Sequence, residues 1–464
     1  MSVVAVTLRG KPVLRAVILA CTMALAPAAW ADDGPVCGQT EPDDPSKPYD
    51  KLLLRDADGA RGAIGQYGLT LDVTETDEVL GNPTGGTRRG AVFEGLTDAS
   101  LKLDLRKHFG WRGVFCIRAF QIHGRGLSLN DLGNNINTVS SLEADRTTRL
   151  FEFWYEQHIG DWLRVRIGQQ AADQEFLVSS TARVFINGAF GFPTLPATVL
   201  PAGGPDFPLA TPAIRFRFDP NDELTIFAGL FNGNPTGAAF SNPDPQRADL
   251  SGTAFRTSDG ALAMFEVRYN PGNSDDNGTY KLGAWFNSEH FPSQRFASNG
   301  VSLASPLSSG TPRLLGNNYS AYGIVDQPLY ADKDAGQSLS AFFRAMGAPG
   351  DRNLVSFYFD TGLAFKGPFG RKDDTVGIGF GYAQISNAAR LLDQDTAAVI
   401  PGYPVRSREA VLEVTYQVQI TDWWQLQPDF QYVVAPGGGI PNPNAPGQKI
   451  GSAAILGLRS TITF

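Results

Sequence analysis

AAILGLRSTITF, residues 453–464, is the stretch that decides the fold expected of the whole chain. Every second side chain from Ala454 to Phe464 is mostly apolar, whereas the intervening set carries threonine hydroxyls and Arg459. This alternation is typical of a β-strand between two environments. The stretch matches a tilted strand across a bilayer, about 9–11 residues or slightly more, and its last residue is aromatic, as at a membrane interface. Taken alone, it fits equally well an outer-membrane β-barrel or a soluble β-sandwich.

The composition favours strands and turns. The chain has 464 residues, with 51 Gly, 31 Pro and 30 Phe against 4 Met, which is far from a helical-bundle composition. Mean hydropathy is −0.15, and no stretch after the start is long and apolar enough for a membrane helix. Barrel strands escape this criterion because their apolar residues alternate with polar ones.

Residues 1–31 are predicted to be a signal peptide. Arg9, Lys11 and Arg15 precede an apolar run at 16–26, and Ala29-Trp30-Ala31 matches the A-x-A pattern of a cleavage site, so cleavage is expected before Asp32. A retained anchor and a lipobox ending at Cys21 are weaker alternatives. Cleavage removes three basic residues and no acid, so the net charge falls from −8 to −11, and we expect no nucleic-acid partner.

Two segments are expected after cleavage. Residues 32–63 are rich in Pro and Asp and are predicted to be a periplasmic N-terminal segment, with a short helix around 52–61. Residues 64–464 are predicted to be the β-barrel pore domain. Cys37 and Cys116 remain in the mature chain, and export permits a disulfide between them without requiring one.

About sixteen strands can be counted after residue 64, and their connections alternate between short and long. The short turns are expected near 108–112, 160–161, 220–222, 270–278, 328–337, 366–373 and 421–422. The longer loops are expected at 81–91, 124–146, 173–212, 232–260, 289–319, 384–408 and 435–452, with a short exception at 347–353. Barrels have short periplasmic turns and long outer loops, whereas a sandwich has no reason to sort its loops. We therefore predict an all-β fold, a transmembrane outer-membrane β-barrel of about sixteen antiparallel strands.

Catalytic chemistry is not indicated. His108, His123, His158 and His290 show no metal-ligand spacing, and neither a nucleophile elbow nor a Walker loop is present. The glycines of 377–381 resemble a nucleotide loop only superficially, and we interpret them as one strand face that leaves space in the lumen. We predict neither an enzyme nor a cofactor.

Charged residues are predicted to line the lumen next to one tight hairpin. Phe151, Phe153 and Tyr155 are placed on the outer face of their strand, opposite Glu152, Trp154 and Glu156. Arg164 and Arg166 follow on the next strand, and Arg215 and Arg217 on the one after. Opposed acidic and basic rows would create a transverse field and hydrogen-bond polar solutes, or they would only pair with each other and stiffen the wall.

A long loop and two aromatic residues complete the candidate site. The loop 173–212 is expected to be functional because of its length, and folded inward it would set the constriction. Trp154 and Trp285 would either stack on a sugar or fill space beneath the loop. The residues expected at the constriction are Glu152, Trp154, Glu156, Arg164, Arg166, Asp173, Glu175, Asn187 and Arg215. A one-residue slip in strand parity would move the strand members to the other face.

Several motifs resemble the carbohydrate-selective porin, OprB-like, family. They are LGNPTGG with EGL (80–86 and 94–96), QIHGR (121–125), GDWLRVRIG (160–168), GQQAADQEF (168–176), FINGAFGFP (185–193), GGPDFPLATPAIR (203–215) and WWQLQPDFQYVVAPGG (423–438). The resemblance covers essentially the whole mature chain and implies a sixteen-stranded barrel that passes glucose and related sugars by diffusion. One departure is RDADGAR at 55–61, where the family pattern has a Trp.

The expected function is therefore passive, selective diffusion of glucose-like mono- and oligosaccharides through the outer membrane of a Gram-negative bacterium. A general or anion-preferring porin is the alternative within channels, and a structural or adhesive barrel is the alternative outside them. The other expected partners are outer-membrane lipid with lipopolysaccharide, and the barrel-assembly machinery, which would bind the C-terminal strand. Both a monomer and a homotrimer remain open.

Overall fold

The computed structural model describes Cys37, Tyr49 and residues 51–133, 136–237, 244–274 and 277–464. The predicted signal peptide, 1–31, lies outside the described residues, as does most of 32–50. The predicted short helix near 52–61 begins later than expected, because turns occupy 51–59 and the helix follows at Ala60–Gly65.

Sixteen antiparallel strands close into one barrel, as predicted, and two further strands, β16 and β17, form a separate hairpin. The strands are β1 Leu69–Gly86, β2 Gly90–Asp104, β3 Gly113–Gly124, β4 Thr147–Ile159, β5 Leu163–Gln170, β6 Thr211–Asn221, β7 Leu224–Asn232, β8 Ala261–Tyr269, β9 Thr279–Ala297, β10 Pro312–Asp332, β11 Gln337–Gly347, β12 Val355–Lys366, β13 Thr375–Ile385, β14 Arg408–Thr421, β15 Trp424–Val434, β16 Pro441–Asn442, β17 Ala445–Lys449 and β18 Gly451–Thr463.

Helices are short and lie in the connections. The α-helices are α1 Ala60–Gly65, α2 Leu105–Phe109, α3 Thr194–Val199 and α4 Asn387–Val399. Single helical turns occur at Ser128–Leu132, Thr181–Val184, Gly188–Phe190, Pro201–Gly203, Pro245–Asp249, Pro271–Asn273, Pro368–Gly370 and Pro436–Gly439. None of the helices in the described part of the chain has an apolar stretch long enough to cross a bilayer.

The last strand closes the barrel against the first, as predicted. β18 pairs with β1 from Thr74 opposite Thr463 to Gly86 opposite Gly451. The backbone N–H of Phe464 donates to the carbonyl of Val73 at 2.9 Å. Backbone hydrogen bonds therefore continue along the seam as far as the final residue.

The connections sort to two ends of the barrel. The short-turn end carries 105–112, 160–162, 222–223, 270–278, 333–336, 367–374 and 422–423, and the long-loop end carries the rest. Two predicted long loops are shorter than expected. Residues 81–86 belong to β1, and residues 90–91 belong to β2. Likewise, β9 continues to Ala297 and β10 begins at Pro312. In both places backbone pairing continues beyond the point where the alternating pattern fades.

The two faces of the wall differ as the alternation predicts. Large apolar side chains such as Val79, Phe153 and Leu458 are about half exposed on the outer face, whereas Glu152 is fully buried within. Phe151 is an exception. The register between β3 and β4 shifts at this point, so that Arg118 opposes Glu152 while Ala119 opposes Leu150. The resulting bulge leaves Phe151 unpaired and turns it inward, which corrects its predicted outward placement.

Candidate functional site

The connection between β5 and β6, residues 171–210, folds into the barrel and is called the inner loop. Polar side chains from strands around the barrel hold its backbone. Lys281 donates to the carbonyl of Val178 at 2.9 Å, and Gln427 donates to that of Val184 at 2.7 Å. The two strands that carry these side chains, β9 and β15, are far apart in the barrel order. The inner loop therefore crosses the lumen, as its length suggested.

Arg344 on β11 is the most highly connected of these groups. Its guanidinium donates to the carbonyls of Leu177, Ala189, Phe190 and Gly191 at 2.7 to 3.1 Å. Asp360 on β12 accepts from its Nε at 3.0 Å. A planar guanidinium can serve several acceptors at once, so one side chain holds two separate parts of the inner loop.

Glu413 on β14 holds the same loop through its N–H groups. Its carboxylate accepts from the backbone of Ile186 at 2.6 Å and of Asn187 at 3.0 Å. The Asn187 amide donates in turn to Gln431 at 2.8 Å. The candidate residue Asn187 is thus fully buried between the inner loop and the wall.

The glycine face of β13 receives the aromatic side chains of the inner loop. A Cβ at Gly377 would lie 3.0 Å from Phe185 Cε1, and one at Gly379 would lie 2.8 Å from Phe190 Cζ. The space that these glycines leave in the lumen, as predicted, is therefore filled by the inner loop. Only residues without a side chain permit this close approach.

Four of the candidate charges form one buried network at the base of the inner loop. Arg215 Nη2 lies 2.6 Å from Glu156 Oε2, and its Nε lies 2.6 Å from Glu175 Oε2. Arg166 pairs with the same two carboxylates at 2.9 and 3.4 Å. The side chains are at most 11% exposed. Buried charges need such mutual pairing, and these charges couple β4, β5 and β6 to the inner loop.

The remaining candidates on the wall are buried or half-buried. Glu152 is fully buried and lies 3.7 Å from Arg118 Nη1. Trp154 is covered by Arg166, whose guanidinium carbon lies 4.0 Å from the ring centroid. Arg164 is half-buried and opposes Arg217 in the β5–β6 register. Trp285 is 2% exposed within the apolar cluster around the inner loop, which matches the space-filling alternative.

A cavity of about 600 Å³ lies between the inner loop and the β3–β4 connection. Of the nine candidate residues, Asp173 alone is among its lining residues. The polar lining residues that sequence reasoning missed include Glu143, Arg183, Asp206 and Arg459. Arg459 carried a usable signal, since the alternation of the last strand already placed it toward the lumen. The loop residues carried none, because a loop has no fixed period.

The cavity brings opposite charges close together. Arg459 is ion-paired with Glu78 on β1, and its Nη2 donates to Ser141 Oγ at 3.3 Å. Asp173 accepts from the backbone N–H of Phe207 at 3.2 Å. Desolvation, followed by the adjacent Asp173 carboxyl, raises the pKa of Asp206 well above its usual value. The cavity therefore offers donors and acceptors, together with a carboxyl that retains its proton to higher pH.

Among the described residues, one group could hold a metal ion, and it faces away from the lumen. The ligand atoms of Glu75, Asp77 and His123 lie within 4.8 Å of one another. Gly95 lies between Asp77 and His123 in the strand register, and a Cβ at this glycine would overlap both side chains. Barrel register brings these residues together, which is why no local spacing revealed the group.

A disulfide joins Cys37 to Cys116, with a Cα–Cα distance of 6.0 Å. The two cysteines pack with Trp154 in a small buried cluster. The pairing left open by the sequence is therefore present, and it ties the N-terminal segment to the inner face of β3.

Comparisons with known proteins agree with the fold over most of the chain. Residues 88–464 match the model of the carbohydrate-selective porin, OprB family. Porin B of Pseudomonas aeruginosa is 24% identical over 451 residues, covering 90% of this chain and 92% of that protein. The high-pH structure of Pseudomonas putida OprB superposes with a TM-score of 0.78 at 21% identity, covering 89% of this chain and 98% of the other. The low-pH structure of the same protein gives 0.54 at 16% identity, covering 89% and 99%.

Proposed function

Because the chain belongs to the carbohydrate-selective porin, OprB family, we propose that glucose-like mono- and oligosaccharides cross it passively at the inner loop. One observation carries this proposal. A long, multiply anchored loop lies inside a closed barrel and borders a cavity of about 600 Å³. Solutes would cross the outer membrane there down their concentration gradient, without a cofactor.

The lining residues support selection by hydrogen bonding. Arg459 and Arg183 supply donors, and Asp173 and Glu143 supply acceptors. Sugar hydroxyls both donate and accept, so they can exchange hydration for these groups without a net charge. Phe207 adds flat apolar surface. Binding of this kind is weak enough to permit release on the other side.

We assign different roles to the candidate residues. Asp173 contacts the solute, whereas the enclosed residues act by holding the inner loop and the wall in place. This second set consists of Glu152, Trp154, Glu156, Arg164, Arg166, Glu175, Asn187 and Arg215. Replacing a member of this set should therefore alter sugar binding only indirectly, by changing the shape of the constriction.

The same proposal includes the orientation of the barrel in the outer membrane and its contacts there. The short-turn end faces the periplasm and the long-loop end faces the exterior, after a signal peptide at 1–31 has been removed. In this arrangement residues 32–63 form a periplasmic segment and residues 64–464 form the pore domain. The barrel wall contacts lipid and lipopolysaccharide, and the barrel-assembly machinery binds the last strand.

Planar-bilayer conductance tests the proposal directly. Conductance through the purified protein should fall as glucose is added, and Arg459→Gln should raise the blocking concentration about tenfold, as expected for one lost hydrogen bond to a charged group. Arg408→Gln, an exposed residue at the start of β14, is the matched control. A protein without conductance would contradict the channel and favour a structural or adhesive barrel.

A liposome-swelling series separates the two kinds of channel. Faster swelling with sugars than with amino acids of similar size is expected for a selective pore. Equal rates would favour a general porin, and a preference for small anions would favour the anion-preferring alternative.

A further inference from the structure

The outer face of the barrel changes character along β3. Phe115 and Ile117 are exposed apolar residues near the short-turn end, whereas His123 follows at the same parity toward the long-loop end and Arg125 comes directly after the end of the strand. The backbone N–H of Arg125 donates to the carbonyl of Phe93 at 2.8 Å, which continues the β2–β3 pairing by one step. Phe93 is itself half exposed on the outer face. Arg125 therefore lies at the upper border of the lipid-facing surface.

Two further arginines approach the same border from separate loops. Arg146 precedes β4, and Arg247 lies in the β7–β8 connection. With Arg125, Phe93 and Leu250 they line a cavity of about 660 Å³, which is called the arginine cleft. The loop that carries Arg247 is fixed in position, since the backbone N–H of Leu150 donates to the carbonyl of Ser251 at 2.9 Å.

The charge of the arginine cleft is positive. Its lining contains three arginines and one acid, Asp145. Arg247 Nε lies 3.1 Å from Asp145 and 3.3 Å from Asp244, yet the Arg247 side chain is 60% exposed. Arg125 is 50% exposed, and its nearest carboxylate, on Asp131, is 3.8 Å away, beyond hydrogen-bonding distance. Guanidinium N–H groups thus remain directed at an open cavity.

We propose that the arginine cleft binds a phosphate group of a phosphorylated glycolipid in the outer leaflet. Guanidinium groups bind phosphate in a bidentate manner and tolerate partial burial. Phe93 and Leu250, 50% and 45% exposed, offer apolar surface beside the charges for the acyl chains of such a lipid. Free phosphate would make no apolar contact with these two residues. The proposal requires an outer-membrane barrel but not sugar selectivity, so either can fail alone.

Lipid binding to the full-length protein in detergent tests this proposal. The probe is lipid A with both phosphates, compared with the same lipid after dephosphorylation, and bound lipid is counted by native mass spectrometry. We expect the phosphorylated form to bind at least about tenfold more tightly, as suits charge-assisted hydrogen bonds. The double variant Arg125→Gln/Arg146→Gln should lose this preference, and Arg408→Gln should retain it.

Three outcomes would overturn the proposal. They are equal binding of both lipids to the wild-type protein, an unchanged preference in the double variant, and displacement of the lipid by inorganic phosphate at comparable concentration. The single variant Arg247→Gln provides a second measurement if the double variant does not fold, and it should weaken the preference by itself. Sugar-dependent conductance, measured on the same preparations, should not change, because none of the three arginines lines the cavity beside the inner loop.

Discussion

Arg344 on β11 and Asp360 on β12 form an ion pair in which neither side chain is exposed to solvent. The same guanidinium reaches four carbonyls of the inner loop. A pair between neighbouring strands thereby becomes the anchor of a segment that crosses the lumen. Because a buried charge without a partner costs more than the buried pair, single and double variants of these two residues should differ in stability.

Arg344→Met should weaken the barrel and release the inner loop. Leaving Asp360 buried without a partner costs about 3–5 kcal/mol. We expect a lower thermal unfolding temperature and a larger single-channel conductance. The double variant Arg344→Met/Asp360→Leu should recover much of the stability while its conductance stays high, since the carbonyls remain without their donor. Wild-type conductance in both variants would show that Arg344 does not hold the loop.

Gly379→Val should displace the inner loop by steric overlap. Its Cβ would lie 2.8 Å from Phe190 and 2.9 Å from Phe185, and overpacking of this kind costs about 1–3 kcal/mol. Altered conductance with a lower unfolding temperature is expected. Gly323→Val is the control, because the nearest atom to a Cβ there is 3.9 Å away. The contact would be refuted if both variants behaved alike.

Asp206 should make ion selectivity depend on pH. Its pKa is raised by desolvation and by Asp173, so its proton is retained above the usual carboxyl range. As pH rises through the raised pKa, a second negative charge appears beside Asp173, and cation preference should increase. Folding stability should decrease as pH rises from the ordinary carboxyl pKa to the raised one, because over that interval the unfolded chain has released this proton and the folded chain still holds it.

The Asp206→Asn variant is the control for this pH dependence. Reversal potentials in a salt gradient, recorded from about pH 4 to about pH 9 to span ordinary and raised carboxyl pKa values, should shift in the wild type and stay nearly flat in the variant. An equal shift in both proteins would assign the effect to another group.

Deletion of Phe464 should impair assembly but leave transport unchanged. Its backbone N–H donates to the Val73 carbonyl, and its own carbonyl accepts from Arg61 Nη2 at 2.7 Å. We expect less folded barrel in the membrane, with normal conductance for each channel that forms. Phe369→Ala, an exposed aromatic in a short turn, is the control. An unchanged yield of barrel would count against a role of the terminal residue.

Strand number and loop sorting were predictable because membrane strands alternate with a strict period of two. Glu152, Trp154 and Glu156 occupy the inner face for this reason. Phe151 does not follow this alternation, because a bulge adds one residue to β4. The local sequence pattern cannot reveal such a bulge. The register of β1 and β2 beyond Leu80 was equally hidden, since glycine and proline there interrupt the pattern while backbone pairing continues.

The site was less predictable than the wall. Sequence spacing placed Glu156, Arg166 and Arg215 on adjacent strands, but their mutual burial depends on Glu175, which arrives from the inner loop. Arg344 could not be predicted as an anchor, because the alternation of its strand is weak and its partners are backbone carbonyls. Likewise, His123 meets Asp77 only through the β1–β2–β3 register.

Because of the glycine face of β13, the size of the barrel wall and the width of the pore are set by different residues. The number of strands determines the circumference of the wall, but the free cross-section depends on how deeply Phe185 and Phe190 enter the space above Gly377 and Gly379. A lineage of such proteins could therefore change the calibre of its pore through substitutions at a few positions on one strand. The wall, its hydrogen bonds and its fit to the membrane would meanwhile stay as they are.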